Sequence, residues 1–167
     1  MITFDPKFRK NKKEYILQSL LAATAAFLVL LLLDVATNAA VIAALGSSAF
    51  IAFTMPAGDV SSARKLIGGY LAGIVVGCLC HYLSILPALQ NIEFIAKNSY
   101  VIFCSLSVGL SVFLMVVTNT EHPPAAGLAM GLFLNKCEVR SVLVVIIGII
   151  CLVAIKTLLR PLLKDLL

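Results

Sequence analysis

Six apolar segments dominate this chain, and their lengths run long, short, long, long, short, long. Residues 15–34 supply about 20 apolar positions, the length an α-helix needs to cross a hydrocarbon core of about 30 Å. Residues 66–86, 99–118 and 141–160 match that length. Residues 39–55 are shorter and rich in Ala, Ser and Gly. Residues 123–135 number 13 and cover only about 20 Å as a helix. Each short segment begins 24 residues after the start of the long one before it, 15 to 39 and 99 to 123. Such spacing is the hydropathy pattern of an internal repeat. Three crossings per half then place the halves in opposite orientations. The expected fold is an all-α polytopic membrane protein with about six membrane helices in a 3+3 pseudo-repeat, its two short helices near the centre. Residues 1–167 form a single transmembrane domain, with a basic N-terminus (1–14), a first half (15–86) and a second half (99–160).

Composition agrees. Hydrophobic residues make up 61% and charged residues 13%, at a mean hydropathy of +1.07, whereas a soluble domain is about half apolar and a quarter charged. Lys7, Arg9, Lys10, Lys12 and Lys13 crowd the N-terminus, which reads as a cytoplasmic anchor on anionic lipid. Without aromatic interleaving this run does not point to nucleic acid. The apolar stretch after it is longer than a signal-peptide core of about 7–15 residues, so it is expected to be the first membrane helix. With six crossings and the N-terminus inside, Arg64, Lys65, Lys156, Arg160 and Lys164 join the five N-terminal residues. That puts ten basic residues inside against Lys97, Lys136 and Arg140 outside. Re-entrant short segments would give nine against four, and both arrangements satisfy the positive-inside rule. Six crossings of the cytoplasmic (inner) membrane, N-terminus cytoplasmic, are the preferred topology. The five cysteines show no CxxC pair and are expected to pack as small hydrophobes.

Small residues suggest how the helices meet. Gly69, Gly73 and Gly77 share one helix face, as do Gly127 and Gly131, and Ala40, Ala44 and Ser48. Ridges of this kind let backbones approach closely in lipid, within a protomer or between copies of a homo-oligomer.

Polar residues interrupt the second half at Thr118-Asn-Thr-Glu-His-Pro-Pro124. Irregular backbone at membrane depth needs to line a cavity or be covered by protein. Proline favours the first turn of a helix and disfavours helix just before it. The chain is therefore expected to break near Glu121 and restart at Pro124 or Ala125, with Thr120 or Glu121 capping the restart. Free N–H groups from Ala125 to Leu128 would then face the break as an anion site, to which His122 adds a proton near neutral pH. Glu121 opposes an anion unless it is protonated or paired with His122, Arg64 or Lys65; the alternative is a turn facing water. The loop after the first short segment resembles this one, with Pro56 as the breaker, Asp59, Ser61 and Ser62 as capping residues, and Arg64 and Lys65 as charges. Ser47 and Ser48 are polar at membrane depth, although serine can bond back to its own helix. Asp34, Thr37 and Asn38 are expected at the outer end of the first span, and Tyr70 and Tyr82 at interfaces. His81, near a helix end, reads as snorkelling. No GxSxG, HExxH or P-loop occurs, so no enzyme, metal or cofactor is expected.

His122-Pro-Pro-Ala-Ala126 at the start of a short helix, with Gly46-Ser-Ser-Ala49 and Arg64…Gly68-Gly69 upstream, resembles the HPP family of integral membrane proteins. The resemblance runs over roughly residues 15–160. Ala63-Arg64-Lys65 stands where that family tends to have Pro-Arg-Asn, Tyr70 where it has histidine, and Glu121 where an apolar residue is usual. Members resembling this chain have been linked to nitrite transport in plastid and cyanobacterial membranes, which implies a transporter or channel for a small inorganic anion. The residues expected to bind it or line its path are His122, Pro123, Pro124, Ala125, Thr120, Ser47, Ser48, Arg64 and Lys65. His122 and Glu121 are the candidates for proton coupling. The rival expectations are a non-transporting scaffold or regulatory subunit assembled through the glycine ridges, and a cation or proton pathway using Asp59 and Glu121.

Overall fold

A computed structural model of the protein describes residues 6–33 and 39–166; the expectation for Asp34, Thr37 and Asn38 falls outside them. Four long helices carry the spans: α2 (Lys12–Leu33), α4 (Ala63–Ser84), α6 (Glu93–Thr118) and α8 (Val139–Leu159). Two short apolar helices, α3 (Ala39–Thr54) and α7 (Pro123–Leu134), sit between them. A single-turn α1 (Pro6–Lys10) precedes α2, and a short α5 (Pro87–Gln90) links α4 to α6. No strand occurs among the described residues. The protein is a polytopic helical membrane protein.

Both short helices run through the fold instead of turning back. Positions 69, 73 and 77 of α4 abut His122, Ala125 and Ala129 in that order, so α4 and α7 are parallel. Ala40 meets Gly131, and Ser48 meets His122, so α3 and α7 are antiparallel. Phe53 at the end of α3 accepts a hydrogen bond from Gln18 at the start of α2. The beginnings of α2, α4 and α7 and the ends of α3, α6 and α8 therefore lie toward one end, hereafter the N-terminal end. The substantial helix pairings are α2 with α3, α6 with α7, α3 with α8, α7 with α4, α2 with α8, α6 with α4, α3 with α7 and α4 with α8. Exchanging α2, α3 and α4 for α6, α7 and α8 returns the same set.

The surface is apolar and the interior is selectively polar. Leu31, Phe113 and Val117 are each about two-thirds exposed; in water such a surface would aggregate, whereas lipid solvates it. Lipid supplies no hydrophobic drive for helix association, so close packing must. A Cβ at position 73 would lie 2.6 Å from the Ala125 carbonyl oxygen, and one at position 77 would lie 2.5 Å from that of Ala129. Glycine is what lets α4 and α7 touch backbone to backbone. Gly131 does the same for α3, against Ala40. Gly127 has no such neighbour among the described residues.

Cysteine behaves differently from expectation. Cys78 of α4 and Cys137 in the α7–α8 turn form a disulfide, with their Cα atoms 5.1 Å apart. The sequence hides it, because 59 residues separate the pair and Cys80 beside it is the more conspicuous neighbour. Cys80, Cys104 and Cys151 are free, in line with the packing role.

Candidate functional site

The break between α6 and α7 is four residues long. Asn119 closes α6 in the left-handed region (φ 53°), and its N–H and that of Thr120 donate to the Val116 and Met115 carbonyls. Asparagine tolerates this conformation better than most side chains. His122, in extended backbone, is the N-cap of α7, and Pro123 and Pro124 form its first turn. The expected caps, Thr120 and Glu121, do not act: α7 has no side-chain cap hydrogen bond. The expected row of free N–H groups is also absent. The two prolines have none, and the Ala125 N–H donates to the His122 carbonyl at 2.9 Å. Later N–H groups belong to the helix's own ladder. The α7 start keeps its dipole but presents no free donor of the expected kind.

His122 is fully buried. Its Nε2 lies 2.7 Å from Ser48 Oγ, which lies 2.8 Å from Tyr70 Oη. This relay ties α7 to the middle of α3 and to the second turn of α4. Tyr70 is buried at 1% exposure, which corrects its expected place at an interface, whereas Tyr82 is exposed at 58%. His122 Nδ1 has no hydrogen-bond partner among the described residues. Space for the imidazole comes from Gly69, where a Cβ would lie 2.6 Å from His122 Cβ. Gly68 similarly accommodates Thr120.

Toward the N-terminal end the two breaks meet. Lys65, 8% exposed, places its Nζ 2.5 Å from Asp59 Oδ2 and 2.9 Å from Glu121 Oε2. One ammonium thus bridges the α3–α4 loop and the α6–α7 break, and the three charges sum to −1. Hydrogen bonding to Lys65 holds the Glu121 carboxyl below its ordinary range. Glu121 is therefore paired, one of the alternatives the sequence left open, and with Lys65 instead of His122 or Arg64. Ser62 caps α4, accepting from the Lys65 N–H at 3.4 Å. Arg64 stands at the exposed rim and donates to the Thr118 carbonyl at 3.2 Å.

His122, Ser48, Thr120, Lys65 and Glu121 accordingly cluster. Ser47 and Pro124 do not join them: they line a separate, almost wholly apolar groove of about 270 Å³ between α3 and α7. Ser47 is exposed there and donates to the Ala43 carbonyl at 2.7 Å. Pro123 borders that groove and also lines, with Glu121 and His122, a pocket of about 210 Å³ against α6. Two buried polar residues fall outside the expected site residues, Lys156 counting in the sequence only as a basic residue on the inner side. Lys156 of α8 donates to the Ser61 carbonyl and, at 3.0 Å, to its hydroxyl. Gln18 donates to Phe53 and Lys164 carbonyls. A lysine and a glutamine within apolar spans were the available signal. Among the described residues no group of three or more His, Cys, Asp or Glu side chains forms a metal site.

Comparison with known proteins is informative about kinship. The HPP transmembrane region matches residues 8–165. A Dictyostelium discoideum protein described only as a transmembrane protein is 32% identical over 89 residues, 53% of this chain and 28% of its own length. The chain thus matches little more than a quarter of that relative. No solved structure matches.

Proposed function

Because the chain belongs to the HPP transmembrane family, we propose that it carries a small inorganic anion across the membrane, with nitrite the leading candidate. The observation that carries this reading is the Asp59–Lys65–Glu121 bridge at the mouth of the break. A nearly buried ammonium is costly unless paired, and here its partners come from two loops, one before α4 and one before α7. An anion reaching Lys65 replaces Glu121 as its partner. Thr120 and the His122–Ser48–Tyr70 relay then supply neutral hydrogen-bonding groups deeper in. Protonation of Glu121 favours the exchange by removing the competing charge, so acidification accelerates uptake; His122 is the second proton-coupling candidate. The helix pairings that survive exchange of the halves support an inverted repeat, with the site beside its centre as in other repeat-built transporters.

Nitrite uptake into proteoliposomes tests the assignment. Lys65→Met and His122→Ala are expected to abolish most uptake, and Arg64→Ala to reduce it. Unchanged uptake in all three would overturn the site. The bridge's net negative charge favours a second reading, a cation or proton pathway through Asp59 and Glu121. Reversal potentials in asymmetric salt separate the two. The apolar α3–α7 groove, where Gly127 is open, supports homo-oligomer assembly through that face.

A further inference from the structure

At the end opposite Lys65, α4, α5, α6 and α7 border a further cavity of about 310 Å³, open on the side where Tyr100 and Lys136 are exposed. Its polar lining consists of His81, Ser84, Gln90, Ser99, Tyr100 and Lys136, with no carboxylate among the lining residues. Glu93 and Glu138, the acids nearest in sequence, are exposed and lie outside its wall. The Ser84 hydroxyl donates to the His81 carbonyl at 2.7 Å. Gln90 donates to the Ser84 carbonyl and, at 3.4 Å, to the Ser99 oxygen. Backbone acceptors in the wall are therefore covered, while Ser99 keeps its own hydrogen to donate. Lys136 forms no ion pair with a described residue.

The position of Lys136 is built. Lys136 and Cys137 both adopt left-handed backbone, at φ 56° and 48°, which L-residues disfavour. Their N–H groups close on the Phe133 and Leu132 carbonyls, and the disulfide fastens Cys137 to Cys78. Cys78 lies three residues before His81, on the same helix face. One covalent link thus sets Lys136 and His81 around a common space. A free ammonium among neutral donors, with no carboxylate to compete, is anion-binding chemistry.

We propose that this cavity binds a small monovalent anion, an oxyanion such as nitrite or a halide, at the end opposite Lys65. Lys136 supplies the charge, and His81, Ser99 and Tyr100 supply hydrogen bonds. The inference deepens the anion reading by giving the path a second docking point, yet equilibrium binding tests it separately from transport.

The test uses the full chain in nanodiscs of zwitterionic lipid, titrated with sodium nitrite and sodium iodide, and crystals grown in bromide. Anomalous density beside Lys136 is expected. Lys136→Gln should weaken binding at least about tenfold, the loss of one charge-assisted hydrogen bond, with Ser99→Ala weaker by a smaller factor and Lys65→Met unchanged at this site. Unaltered thermal midpoints establish that the variants fold. Equal affinity in Lys136→Gln and wild type overturns the proposal, as does binding abolished only by Lys65→Met. Occupancy seen only when anionic lipid is added also overturns it, assigning the cavity to a headgroup. A wild type that binds iodide here but takes up no nitrite upholds the cavity and refutes transport. Uptake with an unchanged KM and unchanged binding in Lys136→Gln does the reverse.

Discussion

Gly77→Ala is the sharpest probe of how this fold is held together. The added Cβ would lie 2.5 Å from the Ala129 carbonyl oxygen and 3.1 Å from both the Ala129 Cα and the Leu132 Cβ. Ordinary van der Waals contact begins at 3.4 Å and the new Cβ would lie at 2.5 Å, so α7 must retreat by most of an ångström. It has little freedom to do so, because the disulfide at position 78 fixes its far end to α4 and the His122–Ser48 bond fixes its start to α3. Overpacking of this kind costs about 1–3 kcal/mol, and replacing glycine inside a helix returns up to about 1 kcal/mol. The net loss is about 1–2 kcal/mol, a midpoint lowered by roughly 2–8 °C for a chain of this size. Gly127→Ala is the internal control, since nothing lies within 4 Å of its new Cβ and only the favourable helix term remains. Thermal unfolding in detergent, followed by size-exclusion chromatography with fluorescence detection, reads both. A Gly77→Ala protein as stable as wild type, or a Gly127→Ala protein equally damaged, would refute backbone contact as the basis of α4–α7 association.

His122→Ala should destabilise by about 2–3 kcal/mol, from a lost buried hydrogen bond and the space left behind; a midpoint within 1–2 °C of wild type, measured in the same assay, would exclude the relay as a structural tie. Lys156→Met is expected to cost about 1–3 kcal/mol because the buried Ser61 carbonyl and hydroxyl lose their donor; no loss would show that water replaces it. Reduction of Cys78–Cys137 should lower stability by less than the about 4 kcal/mol that closing such a loop provides in a free coil, because the helices persist on unfolding; mass spectrometry of alkylated protein checks the linkage. Hydrogen bonding to Lys65 holds the folded Glu121 carboxyl below its ordinary value, so its contribution to stability is present above the unfolded pKa and is lost as pH falls through the folded one. Glu121→Gln should therefore flatten part of the acid limb of the stability profile and leave the neutral range unaltered in shape.

The helix set was legible because lipid imposes a length. Each of the six apolar segments begins and ends within six residues of its helix, with Pro56 and Pro123 marking two of the boundaries. The glycine ridge at positions 69, 73 and 77 was legible for a related reason: small residues at helical spacing have few uses other than close approach. Partner identity was not legible. Ser47 and Ser48 read alike in sequence, yet about 100° of helical rotation puts one on an open groove and the other against His122. Tyr70 looked like an interface residue because sequence gives depth along a helix without its azimuth. The pairing of Glu121 with Lys65 and of Cys78 with Cys137 depends on α4 and α7 being parallel neighbours, a relation that hydropathy does not encode.

That relation limits how the protein can move. α7 is bound to α4 by a disulfide and by glycine-mediated backbone contact. The corresponding pair under exchange of the halves, α3 and α8, has neither a disulfide nor an equivalent glycine series. Sliding α7 along α4 would drive the Ala125 and Ala129 carbonyls across a tightly fitted ridge, so the two helices shift as one body. The contacts that must break then include Ser48 with both His122 and Tyr70, Ala40 with Gly131, and Lys65 with one carboxylate. Lys65 belongs to α4 and Glu121 precedes α7, so that pair travels together; Asp59, on the short turn from α3, is the partner most exposed to strain. Single-molecule distances between labels on α3 and α7 should vary with added anion, while distances between labels on α4 and α7 stay fixed. Variation in the second pair with the disulfide intact would refute the rigid unit.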